Sequence, residues 1–581
     1  MFTVHSSNQL YTSSINEKDQ HLLLAFGDFN GDKLTDAFII EKDLKSLRIL
    51  LAHDKPPFLR STPLTCSFEK RQIVALVPGD FDGDASMDIL ILTKYFISDP
   101  TFNVYIAWGS LNRLECPDDK NPVLTITGHP LVLDYNGDFI SDLFGYNSDN
   151  KRTFWIFGSN RSASPTEIHM ESSDKALRIP HSHGFVDLDG DMNTDLLLTG
   201  QTSYELWSYN YNMTFELTKI IELPVKDAAV IGQSVFIDVN FDGVLDHLVP
   251  VCVDSKCLKS SFYIYTNDKW LQLECDLQQV NHPEKQWTFH PPASDGTVPF
   301  YQDTVTVRAG DFNLDGYPDL LVTLVNTNSP KHNPELRAVL LENNPCSDCT
   351  FGRRLDPNWN VLSEWNTSVS MAAFYDVQEN GVLDVLLAHQ VGGELRLAAY
   401  KNALDYDANF IKVLVLTGRC YSNCTHGQIP YGTNLPGPVV AYQTTKANGD
   451  LQLARSAQLS QSAYQSLQLP YSLFGLGHTP NFVEVLRVGI LHPDPTRRSR
   501  EWTQIIPNSQ MIIIPNLSAQ PRKWLNKLFV TPSRAIVLSA AALGGFGFFL
   551  ALVVAGLHCR ERQDDKREKL SQAYRFHFDA M

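Results

Sequence analysis

The chain carries none of the short signatures of hydrolytic or nucleotide-using centres: no G-x-S-x-G elbow, no H-E-x-x-H pair and no phosphate loop. Basic residues are in deficit, 48 Lys and Arg against 65 Asp and Glu in 581 residues, and the net charge of −17 excludes a nucleic-acid partner held through its phosphates. Long apolar runs are absent but for one, Ala535 to Leu557. Cysteine is sparse, ten in all, with a single one beyond that run. The opening residues Met1-Phe-Thr-Val-His-Ser6 have neither the basic stretch nor the apolar core of an export signal. If the part before the apolar run is exported, as its cysteines suggest, the sequence is expected to begin downstream of the native start.

What the chain has instead is one acidic nonapeptide written seven times. The first six copies obey D-x-[DN]-x-D-x-x-x-D. Their acidic and amide positions are Asp28, Asn30, Asp32 and Asp36; Asp80, Asp82, Asp84 and Asp88; Asp134, Asn136, Asp138 and Asp142. The next three are Asp187, Asp189, Asp191 and Asp195; Asp238, Asn240, Asp242 and Asp246; Asp311, Asn313, Asp315 and Asp319. The seventh is worn, keeping Asp376 and Asp384 with Gln378 and Asn380 between them. A polar turn needs one or two such residues, not four at fixed offsets. Oxygens at positions 1, 3, 5 and 9 converge when the backbone curls, and a hard cation takes six to eight oxygens at roughly 2.3–2.6 Å. The first six loops are therefore expected to bind Ca²⁺. The 22 carboxylates at these positions repel one another unless positive charge sits among them.

The last acid falls at position 9, not the 12 of an EF-hand, and β-type runs such as Ile89–Leu92 follow it, so strand–loop–strand is the expected context. Repeats beginning at 28, 80, 134, 187, 238, 311 and 376 recur about every 50 residues, with longer gaps before the last two. That period, with several short strands per unit, predicts an all-β chain built on a seven-bladed propeller over residues 1–418. Its first blade would use Leu22–Phe26, Ala37–Ile40, Leu47–Leu51 and a strand near Thr65–Ile73; its last would end on Phe410–Leu416. A β-rich, sandwich-like module is expected over 425–515, with a hairpin of Val439–Gln443 and Leu451–Arg455. A stalk over 516–534, a transmembrane helix over 535–557 and a cytoplasmic tail over 558–581 complete the reading.

The 23 residues from Ala535 to Leu557 rise about 34 Å as a helix, enough to cross a bilayer. Nine of the ten cysteines and the sequons at Asn160, Asn212, Asn366, Asn423 and Asn516 precede the span, which places the amino terminus outside and predicts a single-pass type I protein of the cell membrane. Cys346-x-x-Cys349 alone is half a zinc site with no second half, so local disulfides pinning the insertions are expected. His181-x-His183 has no further ligands nearby in sequence and reads as structural.

Phe26-Gly-Asp-Phe-Asn-Gly-Asp32, Gly79-Asp-Phe-Asp-Gly-Asp84 and Gly310-Asp-Phe-Asn-Leu-Asp-Gly316 resemble FG-GAP repeats, the blades of integrin α-subunit propellers. In that family the loops bind Ca²⁺ and the propeller serves adhesion and protein recognition. One departure stands out. Loops one to four carry glycine at position 4, whereas the integrin pattern has it at position 6, as in Gly243, Gly316 and Gly381; altered loop geometry and altered affinity are the expected consequences. Together with Leu469–Gly477, the span and the ending Tyr574–Met581, the whole chain is similar to the T-cell immunomodulatory protein (linkin) family of single-pass membrane proteins. That likeness implies a non-enzymatic adhesion or immunomodulatory role, an extracellular or cell-surface protein ligand, and cytosolic contacts through the tail. The alternatives are a propeller-based hydrolase and an ectodomain shed by cleavage around Leu517–Arg522.

Overall fold

The computed structural model describes residues 21–576 apart from short internal segments, of which 293–302 and 420–430 are the longest. Each acidic nonapeptide joins a first strand of its repeat, as short as three residues in Gly184–Val186 and Val235–Ile237, to the second, and the position-9 aspartate opens that second strand, as Asp36 does in Asp36–Glu41 and Asp88 in Asp88–Lys94. These second strands open with buried residues on both faces: in repeat one Ala37, Phe38, Ile39 and Ile40 expose nothing. In repeat one, His21–Gly27, Asp36–Glu41, Ser46–Ala52 and Leu59–Ser67 pair in that order. The fourth strand thus lies earlier than Thr65–Ile73, because Ile73 belongs to Gln72–Gly79, the first strand of repeat two.

Neighbouring repeats share apolar clusters. Repeat one packs Phe38 with Ile91 and Tyr105 of repeat two. Val77 meets Trp155, Phe144 meets Leu196, and Leu197 meets Val249 in the same way. Phe262 then shares a cluster with Leu320, and Leu340 with Leu387. The seventh repeat returns to the first: Leu386 and Ala399 lie in the cluster of repeat one, and Phe26 stacks on Tyr375 with ring centroids 5.2 Å apart. Between repeats three and four a buried ion pair, Arg152 to Glu205 at 2.7 Å, adds a polar tie.

The strand expected to finish repeat seven does something else. Asn409–Val415 pairs antiparallel with Ser472–Gly477 and parallel with Ser509–Ile514, so repeat seven keeps three described strands, Val369–Tyr375, Asp384–Val391 and Glu394–Tyr400. The sheet completed by Leu525–Val530 faces a second one of Leu451–Ala457, Val439–Thr445, Val483–Gly489 and Ser499–Ile505 across a common core that includes Val413, Val440, Leu486 and Met511. This is the sandwich, with the expected hairpin in it. It reaches further than its expected end. Leu525–Val530, in the expected stalk, pairs with Ser509–Ile514, so a cut around residues 518–522 leaves that strand hydrogen-bonded in the sheet.

From the sandwich, residues 458–461 and 464–469 lie against the first strands of the repeats. Gln461 Oε1 accepts the Phe26 amide of repeat one, and the Tyr464 amide donates to His129 Nδ1 of repeat three at 3.1 Å. His181 of repeat four meets the Tyr464 ring edge-on, Gln233 of repeat five donates to the Tyr464 carbonyl, and Arg308 of repeat six donates to the Gln465 carbonyl. One buried tyrosine thus gathers several repeats.

Cys66–Cys116, Cys252–Cys257 and Cys346–Cys349 are disulfides, while Cys275 and Cys559 are thiols. Cys420 and Cys424 lie outside the described residues. The chain from Thr531 onward is a separate unit holding one helix, Arg534–Phe576. It contains an apolar window of mean hydropathy 2.2, making it a candidate membrane span, and continues as helix through the charged stretch Arg560–Lys569.

Replacing Tyr464 by Ala removes the ring shared among repeats and should destabilise by about 3–5 kcal/mol, as for other large buried aromatics. Scanning calorimetry of the full chain in micelles is expected to show the propeller and sandwich transition moving down as one. A sandwich that melts alone, with the repeats unaffected, would contradict this packing.

Candidate functional site

Loop three shows how the nonapeptide is held. Asp134 accepts the amides of Gly137 (2.8 Å), Asp138 (3.2 Å) and Phe139 (3.0 Å). Asn136 Oδ1 accepts the Asp138 amide and Asp138 Oδ1 that of Ile140, at 3.1 and 2.8 Å. Asp142, with no exposed surface, accepts the Tyr135 amide on one oxygen and the Phe157 amide on the other, both at 2.9 Å. Position 9 is therefore a clasp across the loop and the third strand. Asp36, Asp88, Asp319 and Asp384 repeat it with Phe29 and Ala52, Phe81 and Gly109, Phe312 and Asn343, and Val377 and Asn402. The apolar residue at position 2 is buried beside it, as Phe29, Phe81 and Phe312 are.

The glycine shift leaves the loop shape unchanged. Position 4 has φ between +51° and +84° in all seven loops, whether it is Gly31, Gly83, Gly137 or Gly190, or Phe241, Leu314 or Glu379. Position 6 is also left-handed throughout, as Lys33, Ala85, Phe139 and Met192 or as Gly243, Gly316 and Gly381. Two left-handed residues are required, and glycine relieves the strain at one or the other. The expectation of an altered geometry is thus overturned.

Burial sets the electrostatics. Desolvation pushes Asp28, Asp80, Asp134 and Asp238 up to about 7 and Asp187 to about 6, with the neighbouring loop carboxylates adding to the rise in each case. Asp142, Asp195 and Asp319 are driven well above the ordinary carboxylate range for the same reason. Carboxylate oxygens of Asp80, Asp82 and Asp88, and of Asp187, Asp189 and Asp195, come within 4.8 Å of one another, close enough to share a cation.

The sandwich rests on these loops, a contact that the sequence did not announce. Arg455 donates to Asp187 at 3.3 Å, Arg498 pairs with Asp191, and the His492 amide donates to Asn193. Arg419 Nε donates to the Gly83 carbonyl and its other end to the Asp138 carbonyl. The Gly475 amide reaches Asp311 Oδ2 at 3.0 Å, in a space where a Cβ would lie 2.1 Å from that oxygen. Within the repeats, Arg161 pairs with Asp82 and Asp84. The loops with aspartate at position 3, two and four, are the ones that draw arginine. Such partners come from residues far away in sequence, so only the extra carboxylates were visible there.

Asn160 and Asn212 are exposed in loops, whereas Asn366, Asn423 and Asn516 lie outside the described residues. His181 and His183 stack at 3.8 Å and are buried; their ring nitrogens meet the His129 carbonyl and the Thr199 amide, respectively. Burial holds His181 down to about 4, so the pair is neutral and structural.

Asp142→Ala strands two buried amides, each costing roughly 1–3 kcal/mol, so denaturant unfolding should show a loss of about 2–6 kcal/mol even in chelator, before any loss of a ligand oxygen in calcium is added. Asp138→Ala, whose side chain is partly exposed, should lose most of its effect when calcium is removed. Equal behaviour of the two variants in chelator would contradict the clasp role of position 9.

Family comparisons agree with this division. Residues 187–249 match the model described as FG-GAP-like repeat, and residues 430–529 match that described as ITFG1, C2 domain. The T-cell immunomodulatory protein of Homo sapiens is 38% identical over 582 residues, covering 96% of this chain and 92% of its own. That of Mus musculus is 37% identical with the same coverage. Protein linkin of Caenorhabditis elegans is 28% identical over 607 residues, covering 96% of this chain and 95% of its own. The chain therefore belongs to the T-cell immunomodulatory protein family.

Proposed function

We propose that this is a non-enzymatic recognition protein: a closed seven-bladed propeller whose first six acidic loops bind Ca²⁺, held by one helix in the cell membrane with the amino terminus outside. The observation that carries the calcium reading is uncompensated burial. Among the described residues, loops one, three and five have no Lys or Arg in ion-pair contact with their buried aspartates. A divalent ion supplies the missing charge and the ligands suit it. Ring closure is supported by the shared cluster of repeats one and seven and by Gln461, Tyr464 and Gln465, at which several repeats meet.

The sandwich lies over the acidic loops, so a protein ligand has the opposite strand ends to meet. The turns there, between second and third strands, carry exposed apolar residues, among them Tyr95, Phe96, Val253 and Leu258. Phe96 is 71% exposed. Relatives named for T-cell immunomodulation support a role at cell surfaces, in adhesion or in modulating T cells, with the helical tail past Leu557 offered to cytosolic proteins.

Calcium should raise the melting temperature of the full chain, since a ligand of the native state alone stabilises it. The effect has a definite pH sense. Asp28, Asp80, Asp134 and Asp238 have folded values near 7 against an ordinary 3.8, so without cation the native state holds the extra protons between those values. Stability in chelator therefore falls as pH rises from about 4 to about 7, and the gain from calcium is larger at pH 7.5 than at pH 5. Melting curves indifferent to calcium at pH 7.5 would refute the proposal.

A further inference from the structure

Loop seven has the shape of the other six without their ligands. Asp376 accepts the amides of Asn380 (2.9 Å) and Gly381 (2.8 Å), Asn380 Oδ1 accepts that of Val382 (3.0 Å), and Asp384 closes the clasp. Positions 4 and 6, Glu379 and Gly381, keep their left-handed φ of 51° and 81°. The side chains at positions 3, 4 and 5 have changed: Gln378 and Asn380 leave no carboxylate at positions 3 and 5, and Glu379 brings one to position 4, where the other loops carry Gly, Phe or Leu. Directly over this loop stands Lys412 of the sandwich strand Asn409–Val415, 3% exposed. Its ammonium pairs with Glu379 Oε2, lies 4.0 Å from Asp376 Oδ2 and sits 3.9 Å from the centroid of the Tyr471 ring.

We propose that loop seven is a cation site filled by the chain's own ammonium, Lys412, where the other loops are built for a divalent metal. The reasoning is one of charge and reach. A buried lysine without partners is prohibitively placed, and a loop that retains buried Asp376 and Asp384 without a cation is equally unfavourable; each compensates the other. Gln378 and Asn380 offer no charged oxygen at positions 3 and 5, and the added carboxylate of Glu379 pairs with the ammonium from position 4, so the loop suits a single charge delivered by the sandwich strand better than a chelated divalent ion. The location gives the substitution a purpose. Glu379, which takes the ammonium on Oε2, accepts the Thr35 amide of repeat one on Oε1 at 2.9 Å, and the Tyr375 hydroxyl donates to the Thr35 carbonyl. Lys412 thereby fastens three things at once: the sandwich, repeat seven, and the seam with repeat one. That seam is held at any calcium concentration, while loops one to six respond to the metal.

The inference deepens the calcium reading, and its test separates the two. Full-length wild type, Lys412→Met, and the triple variant Gln378→Asp/Asn380→Asp/Lys412→Met are compared in micelles for calcium bound per chain and for melting temperature with and without chelator. Lys412→Met is expected to melt lower than wild type by a similar amount in calcium and in chelator. The triple variant is expected to hold one calcium ion more than wild type and to regain melting temperature in calcium only. If Lys412→Met does not fold, calcium-dependent folding of the triple variant supports the same conclusion. The proposal is overturned if Lys412→Met melts as wild type does, or if the triple variant gains neither calcium nor stability. Wild type that holds no calcium would refute the metal reading of loops one to six, while a calcium-independent loss in Lys412→Met would still uphold the ammonium site.

Discussion

Burying a carboxylate at the start of an inner strand is the constraint on which the rest of this structure depends. Position 9 of each loop must sit inside the sheet because its oxygens satisfy an amide of the loop, and in most repeats an amide of the third strand as well. Once that aspartate is inside, position 1 follows, since its oxygens hold the left-handed turn by its amides. The repeat is thus rigid by hydrogen bonding but electrostatically expensive, and the cost grows with every carboxylate desolvated beside another. Positive charge has to come from somewhere.

The chain answers with cations from several sources. Arginines reach the four-carboxylate loops two and four, and a lysine reaches the depleted loop seven. The loops without such partners are the ones that most need an ion from solution. Because Arg419, Arg455, Arg498 and Lys412 all belong to the carboxy-terminal segment, the acidic face doubles as the seat of the sandwich. Calcium bound there would stiffen not only single blades but also the platform on which the sandwich rests. The segment around Tyr464 extends that dependence to the strands at the heart of the repeats.

Much of this was legible beforehand, and the exceptions share a cause. Fixed offsets of acid and amide residues located every loop, and the apolar run beginning each second strand identified its burial, because both signals are local. Leu22–Phe26, the hairpin at Val439–Gln443 and the apolar run after Ala535 were found the same way. Phe410–Leu416 was recognisable as a strand but not as a strand of the sandwich, since an apolar alternation does not say which sheet will take it. Leu525–Val530 escaped notice for the opposite reason: its side chains are largely exposed, and its pairing is carried by backbone groups common to any sequence. Glycine at position 4 suggested a different loop only because one cannot see from sequence that positions 4 and 6 share the same left-handed requirement. Arg455 and Lys412 are single basic residues hundreds of positions or tens of positions from the carboxylates they meet, and nothing local marks them.

The most direct examination of the account is a crystal of the native chain grown with terbium in place of calcium, phased on the anomalous signal of the metal. Peaks enclosed by the position 1, 3, 5 and 9 side chains of the first six loops, with the ammonium of Lys412 and no metal in the seventh, are what the charge argument requires. Anomalous peaks confined to surface carboxylates, with those six cages holding only water, would contradict it.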